Sequence, residues 1–266
     1  MLNVIRMELT RMFKSRVFYV CIIAGALFAG LMTYSLAPSM NKFYDGLALT
    51  DDISPENTAC PNNVCGSFIA SASLFIGIFT ACFVGDFYKN GFCKNVVGGV
   101  KHKYYFQVSK AVCIMIYTAI SLIANAVFTT GLAEAFVHEF EFVYMKEFAV
   151  FLLGDYCLLS VLGLFTAFVT ELYTSKIPGI VYAVFLSTNI MSTIVNSINE
   201  NVRNWGFDAT AEFSIENYFA SLYQSKFFGD LPMENNMVIH ALVLSFVAFI
   251  VYNILGSVLI TKRDVK

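Results

Sequence analysis

Charge is what this sequence has least of. Asp, Glu, Lys and Arg make up 14% of 266 residues while hydrophobic residues reach 58%, a balance that leaves too little polar surface to keep a soluble chain dispersed. Histidine is nearly absent, with 3 in the chain and none beside the cysteine pair Cys60 and Cys65, so no metal site is expected. No grouping of Ser, Cys, His or acids has the pattern of a nucleophilic centre. No Gly-x-x-x-x-Gly-Lys-Ser/Thr occurs: Gly98-Gly99-Val100-Lys101 lacks both the spacing and the hydroxyl, which excludes a P-loop for ATP phosphates in this chain. There is no tandem repeat, low-complexity tract or soluble linker, so residues 1–266 read as a single membrane domain. The net charge of −2 points to no nucleic-acid partner, and none is expected.

What is present is length of apolar run. A bilayer core of about 30 Å needs roughly 20 helical residues. Six stretches qualify, near 17–36, 68–84, 110–132, 148–169, 177–195 and 237–260. The expected fold is therefore an all-α integral membrane protein with six transmembrane helices.

Orientation follows from the excess of Lys and Arg in short cytoplasmic loops. Arg6, Arg11, Lys14 and Arg16 precede the first span, Lys89, Lys94, Lys101, Lys103 and Lys110 fill or close the second connection, Lys176 sits in the fourth, and Lys262, Arg263 and Lys266 follow the last. The other side holds Lys42, Lys146, Arg203 and Lys226 among many acids. Both termini are expected in the cytoplasm. Residues 1–16 place Leu2, Ile5, Leu9, Met12 and Phe13 on one helical face and Arg6, Thr10, Arg11 and Lys14 on the other, the pattern of an interfacial helix. The first span is longer than a secretory core and ends in Ser35-Leu36-Ala37-Pro38, so it is expected to be retained.

Cys60 and Cys65 share an extracytoplasmic loop and are placed for a possible disulfide; the remaining cysteines lie in spans or in the cytoplasm.

The second connection is longer than a turn requires and mixes aromatics, glycines and charge. A short helix there would offer Phe87, Tyr88 and Phe92 as an apolar contact with Asp86, Lys89 and Lys94 as its rim. Asp86, Asn90-Gly91, Lys94-Asn95, Gly98-Gly99, Lys101 to Lys103 and Lys110, behind a basic amphipathic entry helix and among six spans, together resemble the permease subunit of type-2 ATP-binding-cassette (ABC) exporters in its small bacterial six-span form. The family often carries Glu and Arg where this chain has Asp86 and Lys101 or Lys103, which keeps charge but loses bidentate pairing.

The resemblance implies that Asp86, Phe87, Tyr88, Lys89, Asn90, Gly91, Lys94, Lys101 and Lys103 form a coupling helix seated on a separate ATPase subunit. It also implies that ATP and Mg are bound by that partner and no cofactor by this chain, and that two permease copies, identical or similar, work together in the cell membrane. The implied role is transport rather than catalysis, namely export of an amphipathic substrate such as an antimicrobial peptide, lipid or drug. Glu171 to Lys176 is a second cytoplasmic turn open to contact with the same partner or to a plain hairpin role.

Outside the membrane, residues 196–236 carry the single Trp, Trp205, among aromatics and acids, and suggest short helices half sunk in the outer leaflet. Within the spans, Asp155 is the one clear acid at membrane depth; it either lines a substrate path or pairs within the bundle. Asn125, Asn189 and Asn253 are expected to hydrogen-bond between helices. Two other functional classes remain open. An ion-gradient secondary transporter would need inverted repeats and several buried charges, and a stand-alone membrane immunity protein would have no ATPase partner.

Overall fold

A computed structural model of the chain describes residues 2–48, 59–61, 63–64, 72–89, 104–138, 140–187, 197 and 235–262. Among these residues the regular structure is helical, in seven helices: α1 (Leu2–Lys14), α2 (Arg16–Ala48), α3 (Ala72–Lys89), α4 (Tyr104–Phe136), α5 (Met145–Tyr173), α6 (Lys176–Ser187) and α7 (Asn235–Lys262). Among the described residues, four stretches are long and apolar enough to cross a membrane: Arg16–Phe43, Tyr104–Phe136, Met145–Tyr173 and Val238–Thr261. The expected second and fifth spans are apolar but shorter, at Ala72–Tyr88 and Lys176–Ser187, and the rest of each (68–71 and 188–195) lies outside the described residues.

Polarity is distributed inside out. Thr80, Gln107, Lys110, Thr118, Ser121, Asn125, Asp155, Thr166, Thr170 and Glu171 are buried, whereas Val20, Ile23, Leu27 and Leu31 of α2 and Val243, Phe246 and Val247 of α7 are exposed. A water-soluble bundle would reverse that arrangement; a helical membrane protein needs it, because lipid is as apolar as Leu and only a packed interior offers polar partners.

Helix directions follow from contacts at the ends. Asn41 of α2 donates to the carbonyl of Phe136 and accepts from the N–H of His138, so α2 and α4 finish at the same end. Lys110, near the start of α4, meets Glu171 near the end of α5, and Glu171 meets Tyr252 in the latter half of α7. Thus α4 and α5 are antiparallel while α5 and α7 are parallel.

Helices α3 and α6 pack closely through small residues. A Cβ on Gly77 would collide with Ala183, one on Gly179 with Ala81 and Thr170, and one on Gly85 with Lys176, an antiparallel seam with small residues near every fourth position. Pro178 fits because the N–H it lacks in the first turn of α6 would have no helical partner. Between α5 and α6 the chain turns on Thr174, which takes φ 52°, an uncommon left-handed geometry for a β-branched residue. That turn sets Glu171 and Lys176 at one end of the bundle.

Below that end lies an aromatic core. Phe79 stacks on Tyr117 at 3.6 Å between centroids, and Phe18 meets both edge-on at 6.0 and 5.5 Å, tying the first turns of α2 to α3 and α4.

Candidate functional site

At the end of the bundle where α3, α5 and α7 finish and α4 and α6 begin, ionisable side chains from every helix except α2 come together. Glu171 is the hub. Its Oε1 accepts from Lys110 Nζ at 2.9 Å and from the Tyr252 hydroxyl at 3.3 Å, and its Oε2 accepts from Gln107 Nε2 at 2.9 Å. Lys110 and Glu171 are both fully buried. Two buried opposite charges are tolerated only when paired and hydrogen-bonded, and here each carboxylate oxygen has at least one donor. Lys110 Nζ also reaches the Tyr88 hydroxyl at 3.4 Å and lies 4.0 Å from the centre of the Phe87 ring. Gly256 makes the arrangement possible, since any Cβ there would overlap the amide of Gln107.

Helix α1 closes the cluster from the side. Glu8 is buried and pairs with Arg11 at 2.8 Å; Arg11 donates to the Phe83 carbonyl at 3.2 Å and its guanidinium lies 4.2 Å from the centre of the Phe83 ring. Burial raises the Glu8 carboxyl above the ordinary range, against the opposing pull of the Arg11 and Lys110 charges. Burial lowers Arg11, opposed by Glu8. A raised acid holds its proton more tightly in the fold than in the unfolded chain, so docking of α1 is favoured as pH falls and weakened as it rises.

The residues picked out from the sequence are distributed unevenly. Asp86 lies at the end of α3 and pairs with Lys176 of α6 at 2.5 Å, which joins the two connections expected on one side. Phe87 points inward, packed against Val4 and Phe106, so in this chain it anchors the first turn of the connection and offers no exposed face. Tyr88 is half-buried beside Lys110. Lys89 ends α3; Asn90, Gly91, Lys94, Lys101 and Lys103 lie outside the described residues, as do Cys65 and the loop around Trp205. Cys60 is buried. Asp155 is buried in the interior of α5, sixteen residues and thus about 24 Å of helix from Glu171, and does not join the cluster. Asn125 and Asn253 donate to carbonyls four residues back in their own helices, Ser121 and Phe249, rather than across helices as expected.

Sequence reasoning missed Glu171 as a buried group and Gln107, Tyr252 and Gly256 altogether. Glu171 follows an apolar run without interruption, and helix α5 carries it inside the bundle for one turn more than the hydropathy suggests. No group of three or more His, Cys, Asp or Glu suited to a metal occurs among the described residues. No protein-family model and no curated protein matches the sequence.

Proposed function

We propose that this chain is the membrane subunit of an ATP-driven exporter of the ABC type, with six spans, both termini in the cytoplasm and its energy drawn from a separate ATPase. The observation that carries the reading is the Asp86–Lys176 pair. It holds the end of α3 against the start of α6, so that Asp86, Tyr88 and the turn at Thr174 and Ser175 form one platform at that end of the bundle. A motor seated on that platform would push on α3, and the buried hub of Lys110, Glu171 and Tyr252 would pass the displacement to α4, α5 and α7.

In this reading two permease copies form the path in the cell membrane, ATP and Mg belong to the partner, and Asp155, buried within one copy, takes the structural role of pairing inside the bundle. One observation favours a second reading, an ion-gradient transporter: buried ionisable groups such as Lys110 and Glu171 are what a proton relay uses.

A detergent pull-down with an ATPase assay separates the two. Wild type is expected to bring down an ATPase, and the variant Asp86→Ala, Lys89→Ala, Lys94→Ala is expected to lose it or to lose its coupling. If wild type brings down no ATPase, the exporter reading fails and the gradient-driven or stand-alone readings take its place.

A further inference from the structure

Helix α1 is three-sided. At about 3.6 residues per turn, Val4, Glu8, Arg11 and Met12 occupy one side and face the bundle. Ile5, Leu9, Leu2 and Phe13 form the next, with Leu2 82% and Phe13 42% exposed. Arg6, Thr10, Asn3 and Lys14 form the third, all exposed, and Arg16 extends it past the break at Ser15.

The charge on these sides is segregated. Glu8 is the only acid between residues 2 and 44, and it is sequestered against Arg11 on the side facing the bundle. What α1 and the start of α2 present outward is therefore purely cationic: Arg6, Lys14 and Arg16. An exposed apolar side adjoins them, and it needs hydrocarbon for cover.

We propose that this surface is a binding site for anionic phospholipid headgroups, with Leu2 and Phe13 sunk among acyl chains and Arg6, Lys14 and Arg16 at phosphate level. The inference rests on the reading of the chain as membrane-embedded and does not depend on the ATPase. A free phosphate compound would satisfy the cations but leave Leu2 and Phe13 in water; a lipid leaflet satisfies both sides at once. Cations of this kind attract acidic lipid on the order of fivefold each at low ionic strength, and salt screens the effect.

The test uses the full chain with Leu2→Trp and Trp205→Phe, so that the only indole reports on α1, in vesicles of phosphatidylcholine containing phosphatidylglycerol. One or the other lipid is brominated at equal mole fraction. Brominated phosphatidylglycerol is expected to quench the indole more strongly than brominated phosphatidylcholine. High salt is expected to erase the difference, as is the added triple variant Arg6→Gln, Lys14→Gln, Arg16→Gln. The salt arm needs no charge substitution, so the proposal stays testable if the triple variant does not insert. Equal quenching by the two lipids at low salt overturns the proposal while leaving α1 at the membrane; no quenching by either overturns the interfacial position as well.

Discussion

At the scale of the residue, Glu171 carries more of the interior than any other polar side chain described here. Three donors from two other helices converge on it, and one of them is a buried ammonium. Removing the carboxylate alone strands the Lys110 charge, and breaking a buried pair in this way costs about 3–5 kcal/mol. Glu171→Gln is therefore expected to lower the unfolding temperature of the detergent-purified protein sharply, and Lys110→Met to do the same by stranding the carboxylate. The combination Glu171→Gln with Lys110→Met is expected to recover most of the loss, because the Gln oxygen still accepts from Gln107 or Tyr252 and no charge is left alone. Additive effects of the two single changes in a double-mutant cycle, within about 0.5 kcal/mol, would show that the pair does not act as a unit. Lys110 opens one expected span and Glu171 lies just beyond the end of another, so hydropathy leaves both at the edge of the membrane. Only the partners across the bundle reveal that they are inside.

At the scale of the element, α3 and α6 illustrate how helices hold together when hydrophobicity supplies no net drive between them. Backbones must approach, and Gly77, Gly85 and Gly179 provide the room. A side chain at Gly179 would have its Cβ 2.9 Å from that of Ala81 and inside the Thr170 hydroxyl contact, with no flexible neighbour to yield. Gly179→Val is expected to cost about 1–3 kcal/mol through overpacking, read as a lowered unfolding temperature. Val181→Ala, on the exposed side of the same helix, is expected to change little. A Gly179→Val protein as stable as wild type would refute the close seam. The existence of each helix was legible from apolar run length, and α1 from its charge periodicity. Which face α1 turns to the protein was not: Arg11 reads as a headgroup residue beside Lys14, yet it goes inward because Glu8 and the Phe83 ring supply the partner and cover that a sequence pattern does not display. The small residues of the α3–α6 seam were visible in the sequence, but glycine alone does not say which helix it meets.

At the scale of the whole molecule, helix direction bears on the number of crossings more strongly than helix length does. The helices α2 and α4 are parallel, and so are α5 and α7. A chain that runs the same way twice has to return between, and among the described residues α3 and α6 are the helices placed to do so. Their described lengths, 18 and 12 residues, fall short of a full span, yet the proposed six crossings require each to lie within one. With six crossings, Lys42 and Lys146 share the outer side while Lys14 and Thr174 share the inner. With four, made by α2, α4, α5 and α7 alone, Lys42 and Lys146 fall on opposite sides and Thr174 moves out. All four positions except Thr174 carry exposed lysines, and Thr174 is exposed as well. Single cysteines introduced at each, in a background freed of the 7 native cysteines, are therefore expected to divide in intact cells. A membrane-impermeant maleimide should label positions 42 and 146 at once, and positions 14 and 174 only after permeabilisation. Labelling of 42 without 146, together with 174 in intact cells, would remove α3 and α6 from the membrane and with them the shared platform on which the exporter reading depends.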